Sequence, residues 1–345
     1  MTVNSGQPKG KVLLTGGSGF IASHILDYIL EAGYDVVATA RSEAKGIQII
    51  EGVEPKHKNH VSYAVVEDIS KPNAFDAALQ STPFNYVIHT ASPYHMNVVD
   101  PVKDFLDPAI KGTTGLLESI KAHAPSVRRV VLTSSSAAML NPPNHAKVYD
   151  ETFWAPVSWE DAMIPINTYR CSKVFAEKAA WAFVEKENPN FDLAVINSTY
   201  NFGPIQRRLP DLEAMNTSNH RIRDMVLGRM KDKIEPTAPV FTWVDVRDVA
   251  LSHLRAMSLR EAGGHRFYVV SGHFSNKRIA DIIRQNFPQL EDLLPPVDTV
   301  DDFPDDVYRF NNTKSKEVLK LNYFPLERSV VDTVNSILNH TSAKS

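Results

Sequence analysis

Short runs of apolar, often β-branched residues alternate with amphipathic stretches along the first two hundred residues. The runs predict strands at 11–15, 35–40, 61–66, 86–89, 130–133 and 193–197. The stretches between them place apolar residues at helical spacing, as Ile21, Ile25 and Ile29 do. Runs without strict alternation are typical of parallel strands that helices cover on both faces. The pattern therefore predicts an α/β fold with a doubly wound parallel sheet of the Rossmann type.

After residue 197 the pattern changes, because prolines interrupt the chain as far as about residue 240. Within this region the spacing of apolar residues predicts one helix, at 220–231. After it, the spacing predicts a strand at 241–244 and helices at 246–260, 276–286 and 326–339. These elements indicate a second, smaller α/β unit.

We therefore divide the chain into two unequal units, as its 345 residues allow at ~150 residues per domain. The Rossmann domain comprises 1–198, with 241–264 packing back onto it. The remaining segments, 199–240 and 265–345, form a smaller, discontinuous lobe. We expect this lobe to bind the substrate, together with the loop 139–166.

The balance of charges excludes several classes of partner. The 37 Lys and Arg residues and the 40 Asp and Glu residues give a net charge of −3, spread evenly along the chain. No nucleic-acid surface is indicated by such a distribution. No apolar run approaches the ~20 residues that span a bilayer. We expect neither nucleic acid nor a membrane as a partner.

The cysteines and histidines of the sequence indicate the cellular compartment and whether a metal site is expected. The single cysteine, Cys171, excludes an internal disulfide and a cysteine-based zinc site, and we expect it to be a buried structural thiol. This usage fits a reducing compartment, so a cytoplasmic location is predicted. No His-Glu-x-x-His pattern occurs, and His57 and His60 lie in a lysine-rich segment, so we expect no metal.

A glycine-rich loop directly follows the first predicted strand and opens an amphipathic helix. It predicts a phosphate-binding turn with cofactor contacts from Gly16, Ser18, Gly19, Phe20 and Ile21. With the small residue Ala22, these positions form a G-x-x-G-x-x-A variant of the dinucleotide-binding motif. The glycines allow a tight turn and a close backbone approach to a pyrophosphate, which the helix N-terminus attracts.

The residues after the second strand indicate which dinucleotide is bound. Arg41 follows this strand and Lys45 lies one helical turn later, where both can reach a 2′-phosphate. A guanidinium matches phosphate geometry with paired hydrogen bonds, so NADP(H) is predicted, although Glu43 could instead neutralise a surface arginine. After the third strand, Asp68 and Ile69 are placed to contact adenine, but Asp68 could equally be a helix N-cap.

A candidate catalytic group lies in the second half of the predicted Rossmann domain. Tyr169 and Lys173 are four residues apart, which places both side chains on one face of a helix. A lysine ammonium beside a phenol stabilises the phenolate. The strand at 130–133 ends in Ser134, Ser135 and Ser136, and hydroxyls at that edge of a parallel sheet lie in the ligand crevice.

These motifs resemble the extended short-chain dehydrogenase/reductases, over about residues 10–340. Within that family the chain is similar to the dihydroflavonol-4-reductase-like branch, and most similar to the NADPH-dependent methylglyoxal/isovaleraldehyde reductases of yeasts. The segments that carry this similarity are Arg41-Ser42, Asp68-Ile69-Ser70, His89-Thr90-Ala91-Ser92-Pro93, Val131-Leu132-Thr133-Ser134-Ser135, Ala176-Glu177-Lys178-Ala179-Ala180-Trp181 and Val244-Asp245-Val246-Arg247-Asp248-Val249-Ala250.

The resemblance implies NADPH-dependent reduction of aldehydes and ketones, including activated ketones and α-dicarbonyls. It implies that Ser135 polarises the carbonyl, that Tyr169 is the general acid, and that Lys173 activates Tyr169 and holds the nicotinamide ribose. It also implies transfer of the 4-pro-S hydride. Further cofactor contacts are expected from Thr90, Ala91, Ser92, Thr133, Asn197 and Thr199, and substrate contacts from Tyr94, Ser136 and Tyr200.

At three positions the chain departs from the family pattern. Ala109 stands where some members have an asparagine, which argues against a proton relay held there. Ser136 stands where near relatives often have an aromatic residue, which implies a wider or more polar pocket. Ser198 replaces a proline after the sixth strand and frees backbone beside the nicotinamide.

Other functions of the same fold remain open at this point. An acyl-CoA thioester reductase, a nucleotide-sugar epimerase and a non-catalytic NADP-sensing protein are the alternatives. An epimerase would need to hold a diphosphate, and the candidates for this are Arg207, Arg208, Arg221 and Arg223. We favour the interpretation that these are scattered surface arginines without such a role. We expect a small carbonyl compound as the partner, and a monomer or homodimer.

Overall fold

The computed structural model describes residues 8–92, 98–142, 144–206 and 209–342. Its strands are β1 (Lys11–Thr15), β2 (Asp35–Ala40), β3 (Val61–Val65), β4 (Tyr86–His89), β5 (Arg129–Ser135), β6 (Val148–Tyr149), β7 (Asp192–Ser198), β8 (Tyr200–Phe202), β9 (Thr242–Asp245), β10 (His265–Val269), β11 (Gly272–His273) and β12 (Arg309–Phe310). Its α-helices are α1 (Phe20–Glu31), α2 (Glu43–Gly52), α3 (Asp76–Gln80), α4 (Asp107–His123), α5 (Trp159–Ala162), α6 (Pro165–Glu187), α7 (Thr217–Val226), α8 (Val246–Ser258), α9 (Asn276–Asn286), α10 (Thr313–Val318) and α11 (Leu326–Ser342).

The central sheet is parallel throughout and has the order β3-β2-β1-β4-β5-β7-β10. The strand order reverses between β1 and β4, since β2 and β3 continue on one side and β5 and β7 on the other. In such sheets ligands bind at the carboxyl ends of the strands, beside this reversal. The predicted parallel Rossmann-type sheet is confirmed.

Helices cover both faces of the central sheet, as near-continuous apolar strands require. On one face α1 packs against α8, and their apolar side chains meet those of β1, β2 and β7. On the other face α4 packs against α6 and α3. The helix α6 thereby lies along the sheet beside β5 and β7, with its Tyr169 and Lys173 near the carboxyl ends of these strands.

A second apolar core lies in the carboxy-terminal part of the chain. The helices α7, α9 and α11 pack on a three-stranded sheet of order β11-β9-β8 through buried side chains such as Phe202, Trp243 and Phe274. A short parallel pair joins β6 in the 139–166 loop to β12 near the end of the chain. We refer below to this second core as the small lobe.

The structure differs from the sequence-based division at residues 265–269. We assigned this segment to the small lobe and predicted no strand there, but β10 pairs in parallel with β7 at the edge of the central sheet. Its last three residues are fully buried, and its pairing satisfies the backbone of β7 on that side. The segment 246–258 does pack against α1, whereas β9 before it belongs to the small lobe.

The helix predicted at 220–231 begins and ends earlier than expected. In the structure α7 spans Thr217–Val226, with Asn216 in an extended conformation at its N-cap. Gly228 follows with a φ of +73°, in the left-handed region that favours glycine and ends helices. The apolar spacing alone did not register this stop, because the glycine lies inside the periodic stretch.

Candidate active site

The glycine-rich loop lies where the strand order reverses, and its backbone packs closely against the chain after β4. Gly16 has a φ of +68°, and a Cβ atom built there would lie 2.9 Å from the Cα of Ala91, in the chain after β4. The amide of Gly17 donates to the carbonyl of Thr39 at 2.9 Å, and that of Gly19 to the carbonyl of Gly16, also at 2.9 Å. The predicted turn is thus held on three sides by backbone.

The N-terminus of α1 offers backbone N–H donors to an anion. Gly19 is its N-cap, no side chain caps the helix, and its first turn contains no acidic residue. Ser18 and Gly19 are exposed. The uncapped donors and the positive end of the helix dipole fit a pyrophosphate at this position.

Arg41 and Lys45 are both exposed beside this loop, at the end of β2 and the start of α2. Within the described chain no carboxylate lies at ion-pair distance from Arg41. The Glu43 carboxylate accepts instead from the Tyr63 hydroxyl, at 3.5 Å. Ser42 is the N-cap of α2 and accepts from the amide of Lys45. Because Glu43 does not neutralise Arg41, the guanidinium is available to a phosphate.

Asp68 lies in a turn after β3 and does not cap a helix. Its carboxylate accepts from the amide of Ser70 at 2.9 Å and from the Ser70 hydroxyl at 2.6 Å, and these bonds lower its pKa. The next helix, α3, begins only at Asp76. The N-cap interpretation of Asp68 is therefore wrong, whereas the neighbouring Ile69 packs against Gly112 of α4.

Tyr169 and Lys173 are brought together on α6 as the spacing predicts. The Nζ atom of Lys173 lies 5.7 Å from the centre of the Tyr169 ring and donates to the Ser92 hydroxyl at 3.0 Å. The Tyr169 ring also meets the edge of Phe105, with centroids 6.4 Å apart. Burial lowers the pKa of Lys173 to about 8, while the nearby Glu177 carboxylate raises it. The ammonium form therefore predominates below pH 8.

The three serines after Thr133 have different environments. The Ser134 hydroxyl is buried and donates to Glu177 Oε2 at 2.5 Å, so it is committed within the protein. The Ser135 Oγ accepts from the amide of Ala137 at 3.1 Å, which leaves its own hydrogen available. Ser136 begins a turn of 3₁₀ helix and is 5% exposed. The Ser135 hydroxyl can therefore donate to a ligand, whereas that of Ser134 cannot.

A buried network fixes the loop after β4 against the glycine-rich loop. The Thr15 hydroxyl accepts from the amides of Thr90 and Ala91, both at 3.2 Å, and lies 2.7 Å from His89 Nδ1. A hydroxyl that accepts twice donates its hydrogen to His89, so Nδ1 is the unprotonated nitrogen. Burial, followed by the charge of Lys173, lowers the pKa of His89 to about 3. His89 is therefore a neutral structural residue.

Three other predicted cofactor contacts have their side chains engaged within the protein. The Thr133 hydroxyl lies 2.7 Å from His253 Nε2, and the Thr199 hydroxyl donates to the Thr242 carbonyl at 2.7 Å. The Asn197 amide donates to Glu177 Oε2 at 2.8 Å, while its buried Oδ1 has no hydrogen-bond partner. Of these three side chains, only Asn197 retains an unsatisfied polar atom.

The predicted substrate-contacting residues are only partly described. Tyr94 lies outside the described residues. Tyr200 begins β8, where its ring is edge-on to Phe274 and 4.7 Å from the Arg221 guanidinium carbon. Ser198 pairs in register with Ser135, so Tyr200 follows two residues after the edge of the sheet where Ser135 lies.

Sequence reasoning missed Glu177, which organises this edge. Its carboxylate is buried and accepts from Ser134, Asn197 and Arg266. It also lines a cavity with Lys173, His89 and Ser92, into which Ala109 and Thr113 of α4 project. The four-residue spacing from Lys173 to Glu177 was the available signal. Ala109, which stands where some family members have an asparagine, is one of the lining residues.

Two further expectations concern sites elsewhere. Cys171 is fully buried, as predicted, and burial raises its thiol pKa to about 11. Among the described residues, Glu31, Glu54 and His57 are close enough to share a cation, but Lys56 contacts both carboxylates. In the described ranges, no helix combines the length and the apolar character that crossing a membrane requires.

The arginines considered for a diphosphate are not scattered at the surface. Arg223 is 5% exposed and pairs with Asp224 and Glu213, and Arg221 is partly buried between aromatic rings. The surface interpretation is therefore wrong for these two. Arg207 and Arg208 lie outside the described residues.

Comparison with known proteins identifies the family. The model of the NAD dependent epimerase/dehydratase family matches residues 12–271. The chain belongs to this family. Membership confirms the resemblance to the extended short-chain dehydrogenase/reductases.

Several relatives of this family cover nearly the whole chain. The ketoreductase azaE of Aspergillus niger is 57% identical over 95% of this chain and 97% of its own length. The NADPH-dependent methylglyoxal reductase GRE2 of Saccharomyces cerevisiae is 36% identical over 95% of this chain and 98% of its own. The crystal structure of Gre2 from Candida albicans in complex with NADPH superimposes with a TM-score of 0.89, at 36% identity, over 95% of this chain and 98% of that one.

Proposed function

We propose that this protein reduces aldehydes and ketones, notably activated ketones and α-dicarbonyls, to alcohols with NADPH. The observation that carries the proposal is the partly buried Lys173 ammonium, which lies 5.7 Å from the Tyr169 ring and donates to the Ser92 hydroxyl. The relatives support it, because they include a ketoreductase and an NADPH-dependent methylglyoxal reductase.

The residues present fit an NADP(H) molecule. The tight turn after β1 requires glycine at position 16, because a Cβ atom there would collide with the backbone of Ala91, and such a turn is typical of dinucleotide-binding loops. The uncapped N-terminus of α1 would hold the pyrophosphate, and the exposed Arg41 with Lys45 would hold the 2′-phosphate. NADPH, when bound, supplies the hydride that reduces the carbonyl carbon.

The chain's own groups handle the carbonyl oxygen. Ser135 donates a hydrogen bond to this oxygen, and Tyr169 gives it a proton as negative charge develops. The bond from oxygen to the Tyr169 proton forms as the phenolic O–H bond breaks, so an alcohol and a phenolate result. The Lys173 ammonium stabilises the phenolate until solvent returns a proton.

The reaction class is tested by following NADPH absorbance with a panel of substrates. We expect oxidation of NADPH with an α-dicarbonyl and with an activated ketone, and none above background with an acyl-CoA thioester. A UDP-sugar should be neither epimerised nor reduced. Turnover of the thioester or the UDP-sugar in preference to every carbonyl compound would contradict the proposal.

Substitution of Arg41 tests the choice between the two dinucleotides. Arg41→Ala removes a charge-assisted bond to the 2′-phosphate, so we expect the Kd for NADPH to rise roughly 10- to 100-fold. The Kd for NADH, which lacks that phosphate, should change far less. Arg255→Ala, at an exposed arginine on α8, serves as the matched control and should leave both values unchanged. Equal losses for both dinucleotides in Arg41→Ala would refute the 2′-phosphate role.

Further parts of the proposal concern the cellular location, the oligomeric state, the role of the small lobe and the alternative of a non-catalytic protein. We propose a cytoplasmic enzyme, since its one cysteine is a buried free thiol. We further propose that it is a monomer or homodimer. The small lobe, with the 139–166 loop, is proposed to cover the substrate. A non-catalytic NADP sensor would have no need of Ser135, Tyr169 and Lys173 together.

A further inference from the structure

Arg221 occupies an unusual environment in the small lobe. It lies on α7, and its guanidinium carbon is 4.7 Å from the centre of the Tyr200 ring and 5.0 Å from that of Phe274. Its Nη1 atom donates to Asn276 Oδ1 at 2.8 Å. The cation is therefore fixed between two aromatic side chains and one amide.

This partly buried cation has an unusual electrostatic environment. Within the described chain no carboxylate lies at ion-pair distance from Arg221. Asp302, which acts on it from farther away, accepts from both the amide and the hydroxyl of Thr237. By contrast, Arg223, two residues further along α7, forms ion pairs with Asp224 and Glu213. Burial of an unpaired charge is costly, and it lowers the pKa of Arg221.

The Nε atom of the guanidinium retains a donor for a ligand. The Nε atom is buried and has no hydrogen-bond partner. Nε and Nη2 lie on the same edge, away from the bond that Nη1 makes to Asn276, and such an edge matches the two oxygens of a carboxylate. A group of this kind, desolvated and without its counter-charge, is typical of a functional site.

The position of Arg221 connects it with the proposed catalytic edge. Its neighbour Tyr200 follows two residues after Ser198, and Ser198 pairs in register with Ser135. Tyr200, which carries the cation on its ring, therefore lies directly beyond the end of β7, the strand that pairs with Ser135.

We propose that Arg221 binds a carboxylate carried by the substrate, so that oxo acids are the preferred carbonyl substrates. The guanidinium edge is the specificity-determining element, and Tyr200 and Phe274 hold it in place. This inference rests on the proposed reductase function, since it concerns which carbonyl compound that site prefers.

The test compares oxo acids of increasing chain length with their methyl esters, each as a substrate with NADPH. One oxo acid in the series should be long enough to place its carboxylate at Arg221 while its carbonyl lies at Tyr169. For this acid we expect kcat/KM to exceed that of its methyl ester by about tenfold or more. In Arg221→Leu this acid-to-ester ratio should fall to near one, and in Arg221→Lys to an intermediate value, because lysine keeps the charge without the paired donors. Arg278→Leu removes an arginine stacked on Phe303 and should leave the ratio unchanged.

A second measurement separates this inference from the proposed function. With NADP⁺ present, the best oxo acid should raise Tm for the wild type and for Arg278→Leu, and should raise it less for both Arg221 variants. If neither acids nor esters are reduced, the reductase proposal fails, and the Tm shifts alone then decide whether Arg221 binds a carboxylate. Equal kcat/KM for every acid and its ester in the wild type, or tighter binding of a UDP-sugar than of any oxo acid, would overturn the inference.

Discussion

Tyr169→Phe should reduce kcat for NADPH-dependent carbonyl reduction by about 10²- to 10⁴-fold, the usual contribution of a positioned general acid. The substitution removes the phenolic proton and keeps the ring, which meets the edge of Phe105 and lies 5.7 Å from Lys173. We therefore expect the Kd for NADPH and the Tm to stay close to the wild-type values. Steady-state kinetics with an α-dicarbonyl and a cofactor titration measure these quantities.

Tyr86→Phe is the matched control for that experiment. The Tyr86 hydroxyl accepts from Arg128 at 3.0 Å, at the start of β4 and thus at the opposite edge of the sheet from the proposed site. The same atom is removed in both variants, so a general effect of losing a phenol would affect both. A kcat for Tyr169→Phe within tenfold of the wild type would exclude Tyr169 as the general acid.

Arg266→Met should lower the free energy of unfolding by about 3–5 kcal/mol, as removal of one partner of a buried ion pair usually does. Arg266 donates from Nε to Glu177 at 2.5 Å and from Nη1 to the carbonyls of Glu151 and Phe153, both at 2.7 Å. Its guanidinium also stacks on Trp154, at 3.8 Å. Without it, the Glu177 carboxylate, which is 1% exposed, would keep only uncharged donors.

A second substitution identifies the buried charge as the cause of that loss. In Arg266→Met/Glu177→Gln the buried group is neutral, so we expect the double variant to recover part of the lost stability. Arg128→Met, which removes an exposed arginine stacked on Tyr86, should change the free energy of unfolding by less than about 1 kcal/mol. Urea denaturation measures all three. A double variant less stable than Arg266→Met would contradict this explanation.

The central strands could be predicted because their signal is local. The apolar runs that end at Thr15, Ala40 and His89 coincide with β1, β2 and β4. By contrast β10 begins with His265 and Arg266, which read as polar loop residues. Their place is fixed by tertiary partners: β7 supplies the neighbouring strand, and Glu177 supplies the counter-charge for Arg266. Neither partner is near them in the sequence.

The candidate site likewise contains features that the sequence predicts and features that depend on tertiary packing. The pairing of Tyr169 with Lys173 follows from helical spacing, and the glycine-rich loop from its place between β1 and α1. The sequence could not distinguish the environments of Ser134 and Ser135, because these depend on the distant Glu177 and on the turn that follows. Among the described residues Arg221 forms no ion pair, and this too is a property of packing, since Asp224 and Glu213 are near it in the chain but bind Arg223.

Transfer of deuterium from NADPH labelled at the 4-pro-S position tests the central claim most directly. An α-dicarbonyl is incubated with the labelled cofactor, and the alcohol is examined by mass spectrometry and NMR. We expect one deuterium per molecule of product, on the carbon that carried the reduced carbonyl. An alcohol without deuterium, formed while NADPH labelled on the opposite face delivers its label, would contradict the predicted face. Failure of both labels to reach the product would contradict hydride transfer by this protein altogether.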